Sequence, residues 1–333
     1  MTTGRKQLTK FLIRILITTS LLIWVFSQID LQEFWQTVKT AKWQFLIAVW
    51  ALTVIIFWIN SIKMQLIMKK QGCNVSIFTL FGASAVTLLY SMTIPGILSA
   101  GIKWYILRKN TGKGSSVLSS MLYNQLSIIF VMAVFGLVAL IVTNPSSLLL
   151  TNTKNRWLLP ILCSILLAAI ILTSLLLLNS RTGSKFIKSL GLLLSPFSEK
   201  IRQKGQETLN QIAIFQTVGI GFHLTMAYIT IIANLIGGVF VYILSARGAN
   251  ITAPLWLLVW LCAIIYLLGR VPISVANLGV REATLVGFLA LYGVEKSPAL
   301  LMSMILFSSI IFMAIIGAIY QLYWAVTVKK PKS

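Results

Sequence analysis

The chain has 333 residues, of which 58% are hydrophobic and 10% are charged, and its mean hydropathy is +0.90. Soluble domains carry about 25% charged residues, so this composition excludes a soluble protein and indicates one that crosses a membrane several times. The net charge of +22 would suit a nucleic-acid-binding protein, but the cations lie in short segments between apolar runs, so we expect no nucleic-acid partner.

Apolar runs of about 17–25 residues predict membrane-spanning helices. About six such runs occur, at residues 11–27, 43–61, 117–143, 157–178, 210–245 and 298–327. The first resembles a signal peptide, but no small-x-small cleavage site comes after it, so we interpret it as an uncleaved span. The fifth is long enough to tilt, to kink at Gly219, Gly221 or Gly237-Gly238, or to contain two pieces.

Two further apolar stretches, 76–92 and 254–269, each run into a segment that contains proline and glycine. A shorter helix is predicted after each, at about 102–110 and 282–292. Irregular backbone persists at membrane depth only where it is buried in protein or lines a cavity. We therefore expect each broken segment to enter the bilayer and return to the same side; a full crossing is the alternative.

The two broken segments resemble each other. The first reads Pro95-Gly-Ile-Leu-Ser-Ala-Gly101-Ile-Lys103, and the second reads Pro272-Ile-Ser-Val-Ala-Asn-Leu-Gly279-Val-Arg281. Each has a proline, a small or apolar stretch, and then a glycine, a β-branched residue and a cation. An internal repeat explains this pattern, and chance similarity between short Gly/Pro segments is the alternative.

The repeat predicts an all-α polytopic membrane protein that forms one domain over residues 1–333. If both broken segments re-enter, each half has an odd number of crossings, so the halves 1–143 and 157–327 have opposite orientations. Interrupted helices at matching positions of an inverted repeat indicate a transport site near the membrane midplane.

The cations predict the orientation. With the N-terminus inside the cell, most lysines and arginines fall in inner segments, Lys63 and Lys103 among them. This bias favours a multi-pass protein of the inner (cytoplasmic) membrane with both termini in the cytoplasm.

Charged and polar residues of the broken segments, with the prolines and glycines that shape their backbone, are the candidates for substrate binding. They are Arg270, Pro272, Ser274, Asn277, Gly279, Arg281 and Glu282 in the second segment, and Pro95, Gly101 and Lys103 in the first. A helix beginning near Arg281 would direct its amide groups at an anion, and arginine binds phosphate with paired hydrogen bonds. Glu282 would bind a cationic headgroup, carry a proton, or pair with an arginine only to fix the segment.

Residues for catalysis or metal binding are scarce. Cys73, Cys163 and Cys262 have no metal or redox spacing, and the only histidine, His223, is expected to be a hydrogen-bonded helix-packing residue. The chain also lacks the Gly-x4-Gly-Lys-Ser/Thr loop that binds nucleotide phosphates. We therefore expect a transporter and not an enzyme, with no metal and no cofactor.

The stretch from Leu268 to Gly287 resembles a known family, the flippase-like membrane domain of lysylphosphatidylglycerol synthetases (multiple peptide resistance factor proteins), which also occurs in stand-alone membrane proteins. The family pattern is Pro-Ile-Ser followed by Gly-x-Gly-x-Arg-Glu. Pro272-Ile-Ser274 and Gly279-Val-Arg281-Glu282 match it, and Asn277 replaces the first glycine. Pro95-Gly96 and Gly101-Ile-Lys103 are similar to a degenerate form of the family's other motif, without its acid.

The resemblance covers nearly the whole chain and implies lipid translocation by a stand-alone member. The headgroup would pass through a polar cavity between the two re-entrant segments while the acyl chains stay in the bilayer. The chain lacks a soluble aminoacyl-transferase domain, so the family implies that it moves a lipid made elsewhere. That lipid is an anionic or aminoacylated phospholipid or a polyprenyl-linked sugar, and the partners are a supplying enzyme or a second copy of the chain.

Two other functions stay open. One is a non-catalytic membrane partner of a glycosyltransferase or lipid-modifying enzyme. Such a partner has no need for Pro272, Arg281 or Glu282 in a cavity. The other is an intramembrane transferase that acts on lipid headgroups, which would need paired acid and base groups or a metal.

Overall fold

A computed structural model describes residues 30–92, 96–146, 157–178, 199–271, 274 and 277–327, together with 16, 19, 20, 22–24 and 27. Within these residues the regular structure is helical throughout. Four of the described helices are long and apolar enough to cross a membrane, and several others are shorter and apolar. The protein is therefore an all-α, multi-pass membrane protein, as the composition predicts.

The helices of the described residues are α1 (Leu31–Lys39), α2 (Trp43–Lys70), α3 (Ile77–Ser91), α4 (Gly96–Thr111), α5 (Gly114–Thr143), α6 (Leu158–Leu178), α7 (Glu199–Thr217), α8 (Ile220–Gly248), α9 (Leu255–Leu268), α10 (Val280–Ala290) and α11 (Lys296–Thr327). The four long apolar helices are α2, α5, α8 and α11. The predicted span 11–27 lies mostly outside the described residues, although the seven described positions between 16 and 27 are helical.

Two predicted spans have different bounds in the structure. The run at 43–61 continues as α2 to Lys70, because Lys63 is a buried helical residue and not the start of a loop. The run at 210–245 is divided, since α7 ends at Thr217 and α8 begins at Ile220. Gly219, between them, has a φ of +90°, which favours glycine and interrupts the helix.

Each predicted broken segment is an antiparallel pair of helices. In the first pair, α3 and α4, the Lys103 ammonium donates to Ser84 Oγ at 2.9 Å, and Leu107 packs with Leu80 and Ala83 in one core cluster. In the second pair, α9 and α10, the rings of Trp260 and Phe288 meet edge to face at 5.0 Å. The second limb of each hairpin therefore returns along the first.

The two halves of the chain pack against each other reciprocally. α3 lies against α11, and α9 lies against α5. In each contact a glycine of the long helix packs against the ninth residue of the shorter one: Gly317 against Ala85 of α3, and Gly136 against Ala263 of α9. A Cβ on Gly317 would overlap the backbone of Ala85, and a Cβ on Gly136 would lie 2.6 Å from the Cβ of Ala263. Only glycine allows this close approach between helices.

A pair of asparagines joins the long helices α2 and α8. Asn234 Nδ2 donates to Asn60 Oδ1 at 2.9 Å, and Asn60 Nδ2 donates to Asn234 Oδ1 at 3.3 Å. Asn234 lies in the π-helical turn Ile231–Ile236 of α8, a local geometry that is common at functional sites. The two half-buried amides satisfy each other between apolar helices.

Replacing Asn60 or Asn234 with leucine is expected to destabilise the protein by about 1–3 kcal/mol, because the remaining amide would be left without its partner. The double Asn60→Leu/Asn234→Leu variant should lose less than the sum of the two single losses. Thermal unfolding in detergent micelles measures all three variants. Strictly additive losses would show that the two amides do not interact.

Candidate functional site

Arg281 and Glu282 form a buried ion pair in the first turn of α10, with 4% and 5% of their surfaces exposed. Glu282 Oε1 accepts hydrogen bonds from Arg281 Nη2 and from Ser303 Oγ, the latter at 2.9 Å. Its other oxygen accepts the Gly279 amide N–H at 2.7 Å. Both carboxylate oxygens are therefore occupied by groups of the protein, and the pair is neutral as a unit.

The backbone before α10 explains how this pair is positioned. Asn277 has a φ of +61° and Gly279 a φ of +80°, so the chain turns twice through the left-handed region. Asparagine tolerates that region better than most residues, which explains why Asn277 can replace the glycine of the family pattern. The turn places the Gly279 N–H within reach of Glu282, whose carboxylate caps the new helix.

Lys103 lies on the inner face of the first hairpin. It is half-buried, and its ammonium donates to Ser84 Oγ at 2.9 Å. The next residue, Trp104, directs its indole N–H to the carbonyl of Gly114 at 2.9 Å. Within the described residues, no carboxylate lies within 4.0 Å of the Lys103 ammonium.

Arg270 is exposed in the turn after α9. It lies near enough to Lys103 for the two positive charges to repel each other. Its guanidinium stacks 4.5 Å from the centre of the Tyr266 ring and donates to the Tyr266 hydroxyl at 2.7 Å. Gln125 of α5 approaches the same hydroxyl at 3.5 Å. Each broken segment therefore supplies a cation, Lys103 or Arg270, that has no carboxylate within 4.0 Å in the described residues.

Lys63 is an interior cation that the sequence prediction missed. Its side chain is fully buried, and its ammonium donates to Ser127 Oγ at 2.5 Å. The prediction that Lys63 lies in an inner connecting segment is wrong, because α2 continues for two further turns to the exposed Lys69 and Lys70. The apolar residues on both sides of Lys63 were the available signal.

A comparison with protein families decides which family this arrangement belongs to. The family model described as "Lysylphosphatidylglycerol synthase TM region" matches residues 11–318. The chain belongs to this family. The match includes both hairpins and the cations Lys63, Lys103 and Arg270, and it confirms the resemblance seen in the sequence. Among curated proteins the search finds no match, and none is found among solved structures.

The remaining predicted site residues of this family member have mixed outcomes. Pro95 and Pro272 lie outside the described residues. Ser274 has a buried hydroxyl with no hydrogen-bond partner in the described part of the chain. Asn277 Nδ2 lies 3.5 Å from the carbonyl of Ile265, and Gly101 is exposed with open space where a Cβ would be.

His223 is a packing residue in this family member. Its Nδ1 shares a hydrogen bond of 2.7 Å with the Tyr123 hydroxyl, and it lies beside the ring of Phe222. The three cysteines are buried and form no disulfide. Over the residues that the structure describes, no three His, Cys, Asp or Glu side chains are grouped as metal ligands would be.

Proposed function

We propose that this protein is a lipid flippase, a transporter that moves the headgroup of a membrane lipid across the cytoplasmic membrane. The observations that carry the proposal are the half-buried Lys103 ammonium beside Ser84 in the first hairpin and the Arg270 guanidinium at the end of α9. In the described residues neither cation has a carboxylate within ion-pair distance. Unbalanced charge inside a membrane protein is costly and usually serves function. A lipid phosphate supplies both the opposite charge and the oxygen acceptors that lysine and arginine bind.

We also propose that the two hairpins are re-entrant and that residues 1–143 and 157–327 form an inverted repeat. Six full spans would then consist of residues 11–27 with α2, α5, α6, α8 and α11, and both termini would be cytoplasmic. The reciprocal packing of α3 with α11 and of α9 with α5 supports this arrangement. So does the matching glycine–alanine contact in each half, since a two-fold axis in the membrane plane would produce both.

In this proposal the headgroup passes between the hairpins while the acyl chains remain in the bilayer. Lys103 and Arg270 hold the phosphate, and rocking of one half against the other exposes it to each side in turn. The protein makes no covalent change to the lipid, so it acts as a transporter and not as an enzyme. Glu282 is a weak candidate for a proton carrier, because three donors already occupy its carboxylate.

Reconstitution into vesicles tests the function. Fluorescent lipid that reaches the outer leaflet is bleached by dithionite, so the bleaching rate reports lipid movement. We expect Lys103→Met and Arg270→Gln each to slow it at least about tenfold, since a charge-assisted hydrogen bond contributes about 1.5–3 kcal/mol.

Lys109→Met is the matched control, because Lys109 is an exposed cation on the same helix as Lys103. It should move lipid as fast as the unmodified protein. Size-exclusion chromatography shows whether each variant is folded. Unchanged transport in folded Lys103→Met and Arg270→Gln, or no lipid movement by the unmodified protein, would refute the proposal.

A further inference from the structure

The two hairpins carry matching cations, but the residue after the cation differs between them. Gly101-Ile-Lys103 corresponds to Gly279-Val-Arg281. Arg281 is followed by Glu282, and the two form a buried ion pair. Lys103 is followed by Trp104, which has no charge and whose indole N–H is used by the carbonyl of Gly114. The second hairpin therefore contains its own counter-ion, and the first does not.

The second hairpin also shows what binds an anion in this fold. The carboxylate of Glu282 is held by the Arg281 guanidinium, the Ser303 hydroxyl and the Gly279 amide N–H. Lys103, which matches Arg281 in the sequence of the first hairpin, offers an ammonium beside the Ser84 hydroxyl, at 2.9 Å. A cation with a hydroxyl beside it is thus present in both hairpins, the hydroxyl coming from α3 in the first and from α11 in the second, but only the second contains the anion.

Two more cations add to the unbalanced charge around the first hairpin. Arg270 is near enough to act on the charge of Lys103. Lys63 is fully buried, and its ammonium donates to Ser127 Oγ of α5 at 2.5 Å. None of the three cations has a carboxylate within 4.0 Å in the described ranges.

We propose that the transported lipid has a net negative headgroup and that its phosphate binds at Lys103 and Arg270, where it replaces the counter-ion that Glu282 supplies in the other hairpin. This inference rests on the transport function proposed above. It specifies the substrate class: lipids with a phosphodiester or phosphomonoester and no compensating amine. A lysylated headgroup would bring further positive charge to Lys103 and Arg270, and Coulomb repulsion would oppose its entry.

A carboxylate introduced beside Lys103 tests this inference. In Ser84→Asp the new acid would take the place of the lipid phosphate, as Glu282 does beside Arg281. We expect the movement of fluorescent phosphatidylglycerol to fall at least about tenfold, the scale expected when a charge-assisted contact to phosphate is lost. Ser84→Asn changes the size similarly without the charge, so its loss should be smaller.

Asn110→Asp is the matched charge control. Asn110 is exposed on α4, two turns beyond Lys103, so the same negative charge is added away from the site. Its transport rate should stay unchanged. Equal transport by Ser84→Asp and Asn110→Asp, with both variants folded, would overturn the inference.

A lipid series keeps the inference testable if Ser84→Asp does not fold. The unmodified protein should move phosphatidylglycerol and phosphatidic acid at least about tenfold faster than phosphatidylethanolamine and lysylated phosphatidylglycerol. The ratio of phosphatidylglycerol to phosphatidic acid distinguishes a phosphodiester substrate from a phosphomonoester. Equal rates for all four lipids would leave the flippase proposal in place and refute the anionic substrate class.

Binding in detergent separates the two proposals. Titration with dihexanoyl phosphatidylglycerol, monitored by calorimetry, should show binding that Lys103→Met weakens at least about tenfold. Such binding without lipid movement in vesicles would refute the flippase and support the anion site. Inorganic phosphate should bind more weakly than the short lipid, and equal affinity would overturn a lipid as the source of the phosphate.

Discussion

Replacing Glu282 with alanine is expected to lower the free energy of unfolding by about 3–5 kcal/mol, the usual cost of removing one partner of a buried ion pair. Arg281 would keep its positive charge, although only 4% of its surface is exposed and no other carboxylate lies within 4.0 Å of it in the described residues. The Gly279 N–H would lose its acceptor as well. Thermal or denaturant unfolding in detergent micelles measures the loss.

Two control variants show whether the stability lost in Glu282→Ala comes from breaking the ion pair. Glu207 is an exposed acid in α7, and Glu207→Ala should change stability by less than about 0.5 kcal/mol. The double variant Arg281→Met/Glu282→Gln removes both charges and should recover part of the stability lost in Glu282→Ala. A double variant that is less stable than Glu282→Ala would argue against an unpaired Arg281 as the cause.

Leucine at Gly317 is expected to destabilise the protein by at least about 3 kcal/mol, at or above the upper end of ordinary overpacking. The added side chain would meet the backbone of Ala85 and the amide nitrogen of Val86, which lies 2.9 Å from the position of a Cβ. Backbone atoms cannot rotate away as a side chain can, so α3 and α11 would have to separate. The midpoint temperature of unfolding in detergent, with size-exclusion chromatography, measures the effect.

Gly136→Leu is the corresponding change in the other half, where the Cβ of Ala263 is 2.6 Å from the position of a new Cβ. We expect a loss of similar size, because the two contacts occupy matching positions. Gly287 is the control: it is exposed in α10, and no atom lies within 4 Å of its Cβ position. Gly287→Leu should be nearly neutral, since leucine favours a helix more than glycine does. Tolerance of leucine at Gly317 would contradict the close contact of α3 and α11.

The long helices were predictable from the sequence because the lipid bilayer around them leaves the backbone only one way to form its hydrogen bonds. In a bilayer, each backbone N–H and C=O must find a partner within its own segment, so an apolar run of sufficient length becomes a helix. The predicted run 117–143 is α5 to within three residues at its start, and the run 298–327 begins two residues inside α11. The family motif, with Gly279, Arg281 and Glu282, was equally visible because its residues are adjacent in the chain.

The role of Glu282 was not predictable, although its position was. The sequence allowed a proton carrier, a headgroup ligand or a structural partner. The tertiary structure places Ser303 of α11 and the Gly279 N–H against the carboxylate, and these contacts favour the structural role. They depend on how α10 and α11 pack, which the local sequence does not specify.

The sequence by itself determined the class of protein, most of its helices, the two interrupted segments and the family, because each depends on composition or on residues close together in the chain. Tertiary structure alone decided that Lys63 is interior, that Lys103 is half-buried beside Ser84, and that only the second hairpin carries its own counter-ion. Charge balance at a buried site depends on which distant helices meet there. Helices such as α3 and α11 meet where glycines and alanines permit close contact, across more than 200 residues of chain.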